Sequence, residues 1–288
     1  MNTFDTKLLK KLYTPPSDSH KGQNGKVMVI GGSHLFHAAS LWALKIASRI
    51  VDMTFYASVP ENNEIVKAAK EEFRDGIVVP RGKMDDYIHE AEAILIGPGL
   101  PRKEGWERGD DDTKELTETL LRKYPQKQWV IDGGSLQVIN PALIPVNAIL
   151  TPHLKEFQQL FNFQFPISNF QSNPNEQINQ LQNKTIEMAR KYNCIILLKG
   201  QTDIVCSPDR CVRVEGGNAG MTKGGTGDVL AGLVAALAAK NEPFLAALTG
   251  SYINKKAGEA LFDRMGYYFN ASDLVDQIPM TMKTLLST

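Results

Sequence analysis

Several things this 288-residue chain lacks narrow its function before any motif is read. There is no charge excess, since Lys plus Arg and Asp plus Glu both total 32. A surface organised around nucleic acid or another polyanion is therefore not expected, and any anion must be held locally. Cysteine is scarce: Cys194, Cys206 and Cys211 form no C-x-x-C pair and lie in apolar segments. That spacing speaks against zinc and predicts reduced, mostly buried thiols in a cytoplasmic protein. Long apolar runs are missing too. Asp5, Lys7, Lys10 and Lys11 interrupt the N-terminus, unlike a signal peptide, and the apolar stretch 229–239 falls short of the ~20 residues of a membrane span. No membrane partner is expected.

What is present alternates. Short β-rich runs at 26–31, 54–59, 93–97, 129–132, 148–151 and 194–199 are separated by helical patterns at about 38–50, 61–72, 112–123, 153–161, 176–192, 227–239, 243–262 and 272–277. Several of the strands are apolar without alternation, as a sheet covered on both faces requires. The prediction is an α/β fold with a mostly parallel central sheet and helices on both faces. A late hairpin at 203–206 and 211–214 turns around S-P-D-R. No internal repeat is visible. The segment 101–112 is a charged surface loop by composition, and 164–183, rich in Asn and Gln, reads as an exposed connection leading into a helix.

In open parallel sheets, ligands bind beyond the carboxyl ends of the strands. Here those ends read G-G-S-H (31–34), G-P-G-L (97–100), D-G-G-S (132–135), T-P-H-L-K-E (151–156), K-G-Q-T-D (199–203) and G-G-T-G-D (224–228). Most have an ordinary explanation. A glycine after a strand is usually a turn, G-P-G is balanced between turn and ligand, and Thr151 could cap a helix with Pro152 at its first position.

The run N-A-G-M-T-K-G-G-T-G-D from Asn218 to Asp228 is harder to explain that way. Clustered glycines before an apolar helix let backbone N–H groups approach a phosphate, and the helix N-terminus adds positive character. It is not a Walker A loop, because no Gly-Lys-Ser/Thr follows the glycines. Asp228 would be repelled by a bound phosphate unless it serves as a base or holds a metal ion.

Taken together and in order, G-G-S with A-A following (31–39), G-P-G-L, D-x-x-x-L at Asp132, T-P-H-x-x-E, L-L-K-G and N-A-G-M-x-x-G-G-T-G-D-V-L-A-G resemble the ADP- or ATP-dependent NAD(P)H-hydrate dehydratases over about residues 20–278. The resemblance implies a ribokinase-like fold in a single domain, 1–288, and repair of hydrated NADH or NADPH using ADP or ATP with Mg2+. It assigns Asp228 as the catalytic base, which also contacts the substrate with Ala39, Gly99 and His153. Nucleotide binding falls to Lys199, Gly200, Gln201, Thr202 and Asp203, to Asn218, which orders the loop, and to Gly224, Gly225, Thr226 and Gly227 as the anion hole. Glu156 is the candidate for holding magnesium or water.

The expected partners are the hydrated cofactor and the nucleotide, with a homo-oligomeric assembly. The helices near 229–262 are expected to supply core rather than interface. Many members carry a preceding epimerase domain. With a first strand near Lys26, this chain is expected to lack one and to act on one epimer unless a separate epimerase converts the other.

Three departures stand out. Lys223 follows Thr222 where the family has Ala-Thr, and it either strengthens nucleotide binding or points to solvent. Gly134 replaces a second acid after Asp132. Arg49 is followed by I-V-D-M instead of a glycine turn. Two other functions fit part of the pattern: a kinase for a vitamin-precursor alcohol or a sugar, and a nucleotide sensor without turnover.

Overall fold

The computed structural model describes residues 3–102, 105–164 and 174–287. Its centre is a nine-stranded sheet ordered β3-β2-β1-β4-β5-β6-β7-β8-β9. The strands are β1 (Lys26–Ile30), β2 (Met53–Ala57), β3 (Ile77–Val78), β4 (Ala93–Ile96), β5 (Gln128–Ile131), β6 (Ile149–Leu150), β7 (Ile195–Leu198), β8 (Asp203–Cys206) and β9 (Cys211–Val214). All pairs through β6–β7 are parallel, and β7–β8–β9 close the edge antiparallel. The expected mostly parallel sheet and the late hairpin are both present.

Strand order reverses between β1 and β4, where the connections leave in opposite directions and open a crevice beyond the strand ends. Two glycine-rich ends, 31–32 and 97–99, meet there: the Gly32 N–H donates to the Pro98 carbonyl at 2.8 Å.

Ten helices complete the described residues: α1 (His37–Ser48), α2 (Pro60–Ala69), α3 (Met84–Glu90), α4 (Thr113–Lys123), α5 (Gly133–Val138), α6 (Leu154–Leu160), α7 (Pro174–Tyr192), α8 (Thr226–Ala238), α9 (Pro243–Met265) and α10 (Ala271–Leu286). Because strand side chains alternate, Val27 and Val29 join a core with α1, α8, α9 and α10, while Met28 and Ile30 join a second core with α3 to α7. Helix α8 is almost wholly buried, as its unbroken apolar sequence demands.

The differences from expectation are short or local. β3, α3 and α5 span two, seven and six residues, too few for a periodic signal. The pattern read at 272–277 extends to Leu286 straight through Pro279, because Ile278 and Thr281 are buried and packing outweighs the lost backbone bond. The connection expected at 164–183 lies partly outside the described residues, at 165–173. From Pro174 onward the chain is already helical.

The cysteines correct the sequence reading. Cys206 and Cys211 face each other as the last pair of the β8–β9 ladder and are joined as a disulfide, leaving buried Cys194 as the free thiol. Burial pushes that thiol up to about 12. The pairing depends on hairpin register, which residue spacing alone does not report.

Candidate active site

Helix α8 begins at Gly225, whose φ of 95° is open to glycine and strained for other residues. A Cβ there would also run into the Trp42 ring and the Ala271 methyl. Trp42, from α1, is fixed in turn by its indole N–H donating to Ser272 Oγ at 3.1 Å. The glycine turn is therefore held open by packing from two helices remote in sequence. Thr226 Oγ1 lies 2.7 Å from the Met221 carbonyl and 2.9 Å from that of Lys223, so its hydroxyl stabilises the turn internally. The first turn of α8 offers helix N-terminal amides, a geometry that suits an anion.

Asp228 sits in that first turn, half-buried. Burial, reinforced by the negative charge of Asp132 and then of Glu156, pushes its carboxyl up to about 7, with the Lys199 ammonium pulling the other way. Asp132 is 3 % exposed, and its Oδ1 accepts from Lys199 Nζ at 2.9 Å and Thr151 Oγ1 at 2.8 Å. Burial alone would lower the Lys199 ammonium. Asp132, Glu156 and Asp228 outweigh it and hold the lysine above its ordinary value. Asp132 is thus compensated by Lys199, whereas the Asp228 carboxyl stays pushed up to about 7.

A cavity of about 600 Å³ opens beside this cluster, a size suited to a nucleotide. Lys199, Gly200, Gln201, Asp203, Asn218, Thr226 and Gly227, all expected in the site, line it; Thr202, Gly224 and Gly225 do not reach its wall. Gly227 lies beside the Lys199 ammonium: a Cβ there would sit 3.4 Å from Nζ, in ordinary contact. Asp203 faces inward to the protein. Its carboxylate accepts from the Gly200 N–H at 2.9 Å and Ser251 Oγ at 2.7 Å, and pairs with Lys255 at 3.4 Å. Asn218 orders its loop, accepting from the Gly220 N–H at 2.9 Å and donating to the Gly258 carbonyl at 2.8 Å.

Sequence reasoning missed the α9 wall of this cavity. Lys255 Nζ is 3.1, 2.9 and 3.3 Å from the carbonyls of Gly200, Gln201 and Gly216, and Asn254 lies beside it. Their signal was two polar residues in a helix of mixed composition, which is weak without knowledge of which face meets the loops.

The crevice between β1 and β4 is more tightly knit. Ala39 lies in the first turn of α1, half-buried, and Gly99 packs against the Phe36 carbonyl and Gly32. For Gly99, backbone contact is thus a sufficient reason for glycine. His34 is clasped by two acids, Nδ1 to Asp110 at 2.7 Å and Nε2 to Glu61 at 2.8 Å. These bonds, Asp110 foremost, raise its pKa. The loop expected to be wholly surface is therefore anchored at Asp110, which is buried, while Trp106 remains exposed; Lys103 and Glu104 of that loop lie outside the described residues.

The helix cap expected at Thr151 belongs to His153 instead. Thr151 continues the β6 extension, donating its N–H to Ile131 and its hydroxyl to Asp132. His153 Nδ1 then accepts the Glu156 N–H at 3.2 Å, and Glu156 Oε2 accepts the His153 N–H at 3.0 Å, a reciprocal capping box. His153 is exposed and Glu156 is 4 % exposed.

The three departures also find partners. Lys223 takes neither expected course: its ammonium donates to the Tyr267 carbonyl, and to that of Phe269 at 2.7 Å, tying the glycine turn to the α9–α10 connection. A side chain at Gly134 would meet the Leu100 carbonyl. Arg49 pairs with Asp276 on α10 at 2.9 Å. Among the described residues no group of three or more His, Cys, Asp or Glu side chains is placed to cage a metal.

The sequence profile described as NAD(P)H-hydrate dehydratase matches residues 27–280. The chain is 36% identical to the bifunctional NAD(P)H-hydrate repair enzyme Nnr of Methanocaldococcus jannaschii over 96% of its own length and 51% of the relative's. It is 32% identical to the ADP-dependent (S)-NAD(P)H-hydrate dehydratase of Nitrosopumilus maritimus, over 98% of this chain and 96% of that one. It thus spans about half the length of the bifunctional relatives it matches. Among solved structures it resembles the Bacillus subtilis ADP/ATP-dependent NAD(P)H-hydrate dehydratase co-crystallized with ATP/Mg2+, with a TM-score of 0.78 at 22% identity over 99% of this chain and 98% of that one. A ribokinase-like superfamily protein of Enterococcus faecalis gives 0.77 at 23% identity over 100% and 97%. The fold is ribokinase-like.

Proposed function

This chain belongs to the NAD(P)H-hydrate dehydratase family, and from that premise we propose that it is a hydro-lyase using ADP or ATP to return hydrated NADH or NADPH to the reduced dinucleotide. The observation that carries the reading is Asp228: a carboxylate with its pKa pushed up to about 7, at the mouth of an amide cradle and beside a nucleotide-sized cavity. A carboxylate beside a phosphate site is repelled unless a reacting hydroxyl lies between them.

In this reading, the nucleotide's terminal phosphates lie on the first-turn amides of α8, with the Lys199 ammonium at Gly227 as their counter-charge. Asp228 takes the proton of the ring hydroxyl. The freed oxygen attacks the terminal phosphorus, and the bond to the remaining nucleotide breaks. Phosphate then leaves with the C–O bonding electrons, and loss of a ring proton restores the double bond. Ala39, Gly99 and His153 line the approach for the hydrated ring, and the 199–203 turn, held by Asp203 and Lys255, shapes the nucleotide side.

Mg2+ fits this site as a partner of the nucleotide's phosphates, with buried Glu156 as the protein carboxylate that would hold it or its water. Magnesium would supply charge neutralisation of the phosphates.

Cooperation with an epimerase is part of the proposal, resting on the family resemblance. So is a homo-oligomer in the cytoplasm, resting on the family resemblance; no helix among the described residues is long and apolar enough to cross a membrane. Hydrated NADH mixed with the protein and ADP or ATP should regain dihydropyridine absorbance. No recovery with either nucleotide, alongside phosphorylation of an alcohol panel, would assign the site to a kinase instead.

A further inference from the structure

We propose that Asn254 selects the nucleotide's base, its carboxamide pairing with the N6 amine and N7 edge of adenine. The inference rests on the reading of the 600 Å³ cavity as the nucleotide site. It starts from an imbalance on one face of α9. Ser251 donates to Asp203, Lys255 holds three loop carbonyls, and Glu259 accepts the Gly217 N–H at 3.1 Å. These neighbours on the face are each occupied in fixing the loops around the cavity.

Asn254, on the same face and lining the cavity, is not. It is 5 % exposed, and its Oδ1 is buried without a hydrogen-bond partner. Among the described residues only Thr54 Oγ1 and Arg81 Nε share that condition, and neither lines the cavity. A buried carboxamide oxygen without a partner is destabilising, so its retention at a ligand wall points to a partner that arrives with the ligand.

The surroundings identify that partner. Lys199 and Gly227 mark the phosphate end of the cavity, while Ala219, Met221 and Leu230 give apolar walls for the faces of a planar base. A carboxamide offers one acceptor and one donor side by side. Adenine's N6–H and N7 present the complementary donor and acceptor, whereas guanine and hypoxanthine place two acceptors, O6 and N7, on the same edge. The N7 edge is the one that confers selection, because on the six-membered-ring edge a turned carboxamide would pair with O6 and N1–H equally well.

Calorimetric titration of the full chain with ATP, ITP and 7-deaza-ATP tests this without relying on turnover. The wild-type protein should bind ATP at least about tenfold more tightly than either analogue, the range a bidentate carboxamide contact gives. Asn254→Ala should bring ATP down to the level of ITP while leaving ITP within about twofold, since the analogue never used the contact. Without nucleotide the variant should melt no lower than wild type, because it removes an unsatisfied buried oxygen; a purely structural asparagine would lower it.

Equal weakening of ATP and ITP by the substitution overturns the inference. So does an absence of ATP-over-ITP or ATP-over-7-deaza-ATP selection in the wild type, a measurement that does not depend on the variant folding. If neither ATP nor ADP binds the wild type, the nucleotide reading itself fails; if they bind without base selection, only the role of Asn254 does.

Discussion

The two parts of the proposed site, the cavity beside α8 and α9 and the crevice between β1 and β4, are built on different principles. The nucleotide half is an open cavity whose polar side chains are largely spent on the surrounding loops: Asp203, Ser251, Lys255 and Asn218 all bond to the backbone or to each other. The half facing the hydrated ring is closed up by mutual contacts, with Gly99 against Gly32, His34 between Asp110 and Glu61, and His153 locked to Glu156. In the proposed reading, the first is preorganised for the nucleotide. The second holds its charged groups in pairs that a substrate must work beside, so electrostatic changes should show most clearly there.

The strongest way to break the comparison is Asp228→Asn, the one residue both halves share. Turnover should fall by about 10²–10⁴, the range for loss of a general base, with nucleotide affinity preserved or improved in a binding titration. Turnover by wild type should decline as pH drops through about 7, where Asp228 gains its proton. The same raised pKa means the folded state holds that proton more tightly than the unfolded chain. Stability from this group is therefore lost as pH climbs from about 4 toward that value, and the asparagine variant should melt above wild type at pH 8.

Gly225→Ala should come next and fall on the nucleotide half alone. It forces a side chain into a left-handed backbone against Trp42, at about 1–3 kcal/mol for the backbone strain alone, and should weaken ATP binding and lower the melting temperature together. Unchanged ATP affinity would mean that the turn does not hold the phosphates.

His34→Gln should do the reverse, raising KM for the hydrated cofactor severalfold while leaving the nucleotide Kd alone. Its ion pairs raise the His34 pKa, so the clasp is complete below the ordinary histidine value and is lost as pH rises through the raised one. A KM that climbs with pH in wild type but not in the variant would confirm that the substrate half owns this titration.

The smallest effect is expected from Cys206→Ser with Cys211→Ser. The pair sits at the far end of the β8–β9 ladder from Asp203, so only the melting temperature should fall, by a few degrees, with both substrate constants unchanged. A change in nucleotide affinity would show that the hairpin couples to the cavity.

How much of this was legible in advance depends on the range over which each feature is specified. All the strands but the two-residue β3, the hairpin, most helices and the placement of Asp228 behind a glycine turn were readable, because each reflects what a short stretch of backbone can do. The helix cap was misplaced by two residues, because the destination of the Thr151 hydroxyl is Asp132, just past the end of β5. Lys223 was left between two roles, and the structure gave it a third, because its partners lie 44 and 46 positions away. Asn254 and Lys255 looked like ordinary helix residues until α9 was laid against the 199–203 and 216–218 loops.

The sequence alone determined the order of the elements, the parallel sheet and the chemistry of the glycine-rich helix start, since periodicity and turn composition act locally. Only the tertiary structure decided which acid is neutralised and which is free: Lys199 reaches Asp132, 67 positions away, leaving Asp228 buried with a raised pKa. Burial and charge proximity belong to the assembled fold, and no segment of the chain carries them by itself.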